Sequence, residues 1–435
     1  MKTLATLLTL ALATTTHAQC PTGYNCDAAA VKPYTLLDPL TSATGKPITK
    51  PQQWPARRAE IIHLFEENVF GRTPAAALHL PLRAHIDEQS NRVSLPDAIV
   101  IRKQITLYFS DKLEAGPKEH ILLYLPANQP GKIPIVLGLN FLGNHTVVAD
   151  PGIRLNPTWT RPPKSTEPPH LAVPDEASRG KQTQQWQVEK LIAHGYGFAT
   201  IYYGDIEPDF KDSWQLGIRP TFFAPGQTAP APDDWGALAA WGWGLSRALD
   251  YLATDPQVDA HRVAITGHSR LGKAVDWAFA QDTRFAALLS TESGKGGQSL
   301  LRRTTGENVE HLQHSFPYWF CANYAKWVGR DTEIPADGNL LLALEAPRPV
   351  YVASAEGDLW SDPRGEFLSA LSASRVYALL GEPGISVSTM PAVDRPTDPA
   401  RLVAYHVRTG KHDVTAFDWD QYINFLDSHF HPHTP

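Results

Sequence analysis

The sequence predicts an α/β chain, an αβα sandwich built on a mostly parallel central sheet with loop insertions. Three observations carry that reading. Apolar runs at 133–141, 197–203, 262–266, 285–290, 349–353 and 402–407 are continuous rather than alternating, as strands buried on both faces of a parallel sheet require. Stretches with helical spacing lie between them and supply the crossovers. The composition, 43 % apolar and 19 % charged over 435 residues, provides a large core and is too apolar for disorder.

Along the chain, residues 1–18 read as a secretory signal: Lys2, an apolar run over 4–13, then the small residues Thr16 and Ala18 before a cut. That leaves 19–435 as a single α/β domain with an N-terminal antiparallel extension, secreted or periplasmic. In an oxidising compartment Cys20 and Cys26 could close a small loop, with Cys321 unpaired. Residues 19–58 are an irregular lead broken by Asp38-Pro39 and Lys50-Pro51. A helix over 57–70 places Ile61, Leu64, Phe65 and Val69 on one side and stops at Gly71-Arg72-Thr73-Pro74. Residues 78–126 read as antiparallel strands at 99–101, 105–109 and 120–125. Further helices are expected over 235–252, 274–280, 366–380 and 416–430. The Pro-rich insertions 150–174 and 209–232 exceed ordinary βα connections and are expected to wall a cleft.

The charge pattern narrows the partners. A formal balance of −6, pI near 6.3 and no Lys/Arg cluster beyond pairs argue against nucleic acid. No apolar run reaches the 18 residues of a spanning helix, and Thr-His-Ala-Gln-Cys is a poor lipoprotein box, so no membrane anchor is expected.

The stretch from His261 to Lys273 is the most informative. An apolar strand enters Gly267-His-Ser269-Arg-Leu-Gly272-Lys273 and a helix leaves it, the layout of a nucleophile elbow in an α/β-hydrolase fold. A helix starting there offers free backbone N–H groups to an oxyanion. Leu271 departs from the Gly-x-Ser-x-Gly pattern. Serine needs a base and an orienting carboxylate, which in this fold follow in the order Ser, acid, His. His412, after the last strand, suits the base better than His406, which lies within it. Asp358 and Glu292 both follow strands and compete for the acid.

These motifs resemble the glucuronoyl esterases, carbohydrate esterase family fifteen. Gly267-His-Ser-Arg-Leu-Gly-Lys273 is similar to the family's Gly-x-Ser-Arg-x-Gly-Lys, and Glu292-Ser-Gly-Lys-Gly-Gly297 to its Glu/Asp-Ser-Gly-x-Gly-Gly. The segments 356–363 and 405–415 resemble bacterial members, as do Gly138-Leu-Asn-Phe-Leu-Gly-Asn-His145 and Phe70-Gly-Arg-Thr-Pro74. The resemblance implies hydrolysis of esters between (4-O-methyl)glucuronic acid of xylan and lignin alcohols, with no cofactor. It implies Ser269 as nucleophile, His412 as base, Arg270 as oxyanion donor, and Lys273, Glu307 and Trp360 as sugar contacts. Fungal members carry the acid at the position of Glu292 and many bacterial ones at that of Asp358. The loop of Asp358 is the one this fold generally uses, so Asp358 is expected as main partner and Glu292 as partial substitute. His268 stands where fungal members have a disulfide cysteine. The rivals are another exported polysaccharide esterase, for acetyl or feruloyl groups, and a non-catalytic carbohydrate-binding protein. The first has no need of two cations beside the nucleophile, and the second has no need of Ser269 and His412. No metal site is expected, the C-terminal His429, His431 and His433 being read as solvated tail.

Overall fold

A nine-stranded sheet forms the centre of the computed structural model, which describes residue 20, residues 22–160 and residues 168–430. The strands run, in chain order, β1 (Ala84–Leu95), β2 (Ala98–Tyr108), β3 (Lys118–Pro126), β4 (Ile133–Asn140), β5 (Thr158–Thr160), β6 (His170–Ala172), β7 (Gly197–Tyr202), β8 (Val258–His268), β9 (Ala287–Thr291), β10 (Val350–Ala355) and β11 (Val403–Arg408). Across the sheet the order is β1-β2-β3-β7-β4-β8-β9-β10-β11. The pairs from β1 to β7 are antiparallel, and β7 through β11 are parallel. β5 and β6 form a separate hairpin inside the first insertion.

Buried side chains alternate between the two faces, as strand geometry dictates. Ile135, Leu137 and Ile265 join one core with Trp241, Leu245 and Leu249 of the helix Ala237–Leu252 and Val275 of the helix Arg270–Gln281. Val136, Ala264 and Tyr351 face the other, against Leu191 and against Trp419 and Tyr422 of the helix Ala416–Phe430. The expected sandwich is therefore present. Among the described residues no helix is long and apolar enough to cross a membrane.

Three local readings are corrected. Residues 99–101 and 105–109 are one strand, β2, because the polar break between them is buried and paired. Arg102 bonds Asp150 at 2.7 Å, Lys103 bonds Asp255 at 2.6 Å, and Gln104 bonds the Gly152 carbonyl at 3.0 Å. The helix expected from 274 begins at Arg270, directly after Ser269. The helix expected from 366 begins at Pro363, whose ring suits a first helical turn. Cys20 and Cys26 are bridged with Cα atoms 5.7 Å apart, and Cys321 is free and buried. The signal at residues 1–18 lies outside the described residues.

Candidate active site

The C-terminal ends of β8 to β11 gather the side chains that matter. β8 turns sharply into its helix at Ser269, whose φ of 59° and ψ of −128° lie where side-chain-bearing residues are rarely found. The turn is tight enough that a Cβ on Gly267 would sit 2.3 Å from the Leu271 carbonyl oxygen, so only glycine fits. The Ser269 N–H donates to the Thr291 carbonyl at 3.0 Å, tying the elbow to the end of β9.

Strand register brings the partners together. Thr291 pairs with Ala353 and Ala355 with Arg408, so the loops after β9, β10 and β11 open side by side. The Glu292 N–H donates to the Ala353 carbonyl at 2.8 Å, and the Gly357 N–H to the Gly410 carbonyl at 2.9 Å. His412 Nδ1 consequently meets both carboxylates: Asp358 Oδ2 at 2.7 Å and Glu292 Oε2 at 3.1 Å. The two acids are buried, while 40 % of the imidazole surface stays exposed.

The acids are supported differently. Glu292, at φ 49°, accepts from Arg408 Nη2 at 3.1 Å through Oε1. Its Oε2 accepts from the Asp413 N–H at 2.9 Å and lies 3.2 Å from His268 Nε2. Asp358 has the His412 ring and the Ser361 N–H at 3.3 Å. Burial works to raise the Asp358 carboxyl, but the His412 hydrogen bond and charge outweigh it and hold it below the usual carboxylate range. For His412, burial opposes the charged ring; the bonds to Asp358 and Glu292, with their charges, overcome that and push it up to about 10. His406, the rival imidazole, is buried within β11 and bonds Asp418 at 2.9 Å and the Tyr351 hydroxyl at 3.1 Å. It belongs to the sheet packing. Arg408 joins the two networks, since it also bonds Asp418 at 2.8 Å.

Two cations occupy the first turn of the helix after Ser269, the end where the helix dipole disfavours them. Each has a buried counterion. Arg270 Nη1 bonds Asp209 Oδ2 at 2.5 Å, and its guanidinium lies over Trp319 at 4.9 Å, Phe316 at 5.6 Å and Phe141 at 5.7 Å from the ring centres. Its Nε–H is buried with no protein acceptor. Burial pulls the guanidinium down and the Asp209 charge more than offsets this, so it stays charged. Asp209 also accepts from the hydroxyls of Tyr318 at 2.7 Å and Tyr203 at 3.0 Å and from Trp319 Nε1 at 2.8 Å. Lys273 is buried; its Nζ donates to the Ser293 carbonyl at 2.6 Å and to Glu307 Oε2 at 3.1 Å. An ammonium has three donors, so one remains. Trp360, half-buried, adjoins this pair, its carbonyl accepting from the Glu307 N–H at 3.0 Å.

All eight residues singled out in the sequence thus lie in one region. Asp209, Arg408 and the contact of His268 with Glu292 were not read from it. Asp209 is the first residue of the second Pro-rich insertion, which is the one signal that pointed its way.

Residues 230–381 match the family model described as glucuronyl esterase, fungi. The chain is 44 % identical over 414 residues to carbohydrate esterase MZ0003 from an unknown prokaryotic organism, covering 94 % of this chain and 93 % of that one. Its structure is similar to the glucuronoyl esterase from Solibacter usitatus, with TM-score 0.86, 48 % identity, and 92 % and 99 % of the two chains covered. A shorter match, 30 % identity over 174 residues, covers 38 % of this chain and 36 % of 4-O-methyl-glucuronoyl methylesterase 1 from Phanerochaete chrysosporium.

Proposed function

The chain belongs to the glucuronoyl esterases, carbohydrate esterase family fifteen, and from that premise we propose that Ser269 attacks the ester carbonyl while His412 takes its proton. The reaction is hydrolysis of esters of glucuronic acid, and the protein is a carboxylic ester hydrolase. In the reading proposed here the substrate is the ester joining (4-O-methyl)glucuronic acid of glucuronoxylan to a lignin alcohol, and the intermediate is an acyl-enzyme on Ser269. His412, oriented by Asp358 and Glu292, then protonates the leaving alcohol and activates water. The Arg270 backbone N–H and guanidinium face charge developing on the carbonyl oxygen. Lys273, Glu307 and Trp360 hold the sugar.

One observation carries the specificity: a second cation beside the nucleophile, the buried Lys273, one helical turn beyond Ser269 with a donor to spare. An acetyl group would offer it no hydroxyl. Turnover of benzyl glucuronate against acetyl and feruloyl esters tests this. Preference for the glucuronate is expected, and equal or faster cleavage of acetate overturns it. The protein is further read as exported, with residues 1–18 removed and 19–435 acting as one catalytic domain. N-terminal sequencing of the secreted form should begin at Gln19.

Two substitutions refine the roles. Lys273→Ala is expected to raise KM for benzyl glucuronate roughly tenfold, because it removes a charged donor that the bound ground state already uses. An effect confined to p-nitrophenyl acetate, which has no sugar, would assign Lys273 elsewhere. Asp209→Asn keeps the shape beside Arg270 but removes its counterion. A fall of about ten- to hundredfold in kcat is expected, with KM little changed, because the donor is no longer fixed where charge develops. A changed melting temperature with unchanged kcat would make Asp209 a packing residue only.

A further inference from the structure

The N-terminal lead reaches the sugar side of the site from the far end of the sequence. Within the loop closed by Cys20 and Cys26, the Tyr24 ring meets Trp360 edge-on at 5.0 Å and His311 edge-on at 5.5 Å. His311 in turn meets Trp360 at 4.9 Å, and its Nδ1 lies 3.3 Å from the Tyr24 hydroxyl. The three rings pack against one another pairwise, which fixes the plane of the indole.

The neighbouring residue binds the loop that carries Glu307. The Asn25 carbonyl accepts from the Gly306 N–H at 2.6 Å and the Thr305 hydroxyl at 3.2 Å, and Asn25 Nδ2 donates to the Thr304 carbonyl at 3.2 Å. Gly306 has φ 69°, and a Cβ there would come within 2.3 Å of the Trp360 carbonyl oxygen, so the loop is pressed onto Trp360. The Glu307 N–H then donates to that carbonyl. Continuous contact therefore runs from the disulfide loop through Asn25 and Glu307 to Lys273, and through Tyr24 to Trp360.

We infer that the Cys20–Cys26 loop is a strap that completes the glucuronate subsite, with Tyr24 a positioning residue that sets the Trp360 indole for the pyranose ring. This rests on the glucuronoyl reading of the site given above. The strap binds no reacting atom; it acts on affinity for the acyl sugar. The edge-to-face contacts are each worth enough to matter to sugar affinity, because a stacking surface free to rotate would lose part of it.

Tyr24→Ala is expected to raise KM for benzyl glucuronate roughly five- to tenfold, with kcat nearly unchanged. Turnover of p-nitrophenyl acetate should not change, since it has no sugar to place. Tyr24→Phe, which keeps the ring and loses only the hydroxyl, should restore most of the affinity. Cys20→Ser/Cys26→Ser should move KM in the same direction by less, because the Asn25 hydrogen bonds remain. An unchanged KM in Tyr24→Ala, beside normal wild-type turnover of benzyl glucuronate, overturns the strap and leaves the glucuronoyl reading intact. Equal losses on both substrates also overturn it, because they show general destabilisation. Failure of the wild type to cleave benzyl glucuronate overturns the glucuronoyl reading itself.

Discussion

Ser269→Ala is expected to lower kcat on benzyl glucuronate by roughly 10⁵-fold or more, with the melting temperature unchanged. The serine sits at a backbone angle that a residue with a side chain adopts only when its surroundings enforce it, and here Gly267, the Thr291 carbonyl and the following helix do so. Removing the hydroxyl leaves the turn and its N–H groups in place, so what is lost is bond formation rather than structure. The same experiment separates a covalent route from a metal-assisted one. His268, Glu292 and His412 each present a ligand atom, all within 4.8 Å of one another. The facing atoms are already engaged: Glu292 Oε2 accepts from the Asp413 N–H, its other oxygen is ion-paired with Arg408, and His412 Nδ1 is bonded to Asp358. A divalent cation would have to displace these partners while facing a guanidinium. EDTA is therefore expected to leave the rate unchanged. Loss of activity in EDTA, restored by zinc, together with an active Ser269→Ala enzyme, would overturn the acyl-enzyme.

How much of this was legible depends on how local the cause is. The elbow is local: strand, Gly267, Ser269 and helix occupy one stretch, and each residue's reason can be read from its neighbours. His412 follows from the order of elements. The two acids are ranked in the sequence only by the loop this fold generally uses, because β9 and β10 are adjacent parallel strands that release their loops toward the same nitrogen. Asp209 lies 61 positions before Arg270 and comes to it only through an insertion with little regular structure. Tyr24 is more remote still, in a lead with no periodicity to read. In β2 the polar run Arg102-Lys103-Gln104 resembled a break, because sequence shows polarity but not the buried partners that satisfy it.

The same adjacency sets up the second large effect. Asp358→Ala should lower kcat more than Glu292→Ala, and the double mutant should fall well below either, by roughly 10⁴-fold from wild type. Asp358 makes the shorter bond to Nδ1, 2.7 Å against 3.1 Å, and its carboxylate has fewer competing donors. Glu292 divides its oxygens among Arg408, the Asp413 N–H and two imidazoles, so it lends charge but holds the ring less firmly. Each remaining acid covers part of the other's loss, and the coupling in the cycle measures that cover. The pH profile supplies an independent reading. His412 must be neutral to accept the serine proton, so kcat/KM rises as pH passes upward through its pKa. With that pKa raised towards about 10, the limb lies on the alkaline side of an ordinary imidazole. Glu292→Gln removes one of the raising charges and should move the limb toward neutrality. The same ring's contribution to stability has the opposite sense: complete below the ordinary imidazole value of about 6.5, it is lost as pH climbs through the raised one. A Glu292→Ala enzyme as inactive as Ser269→Ala, beside an active Asp358→Ala, would reverse the order of the two acids. A limb that stays put in Glu292→Gln would show that Glu292 holds Arg408 and the Asp413 backbone rather than the imidazole.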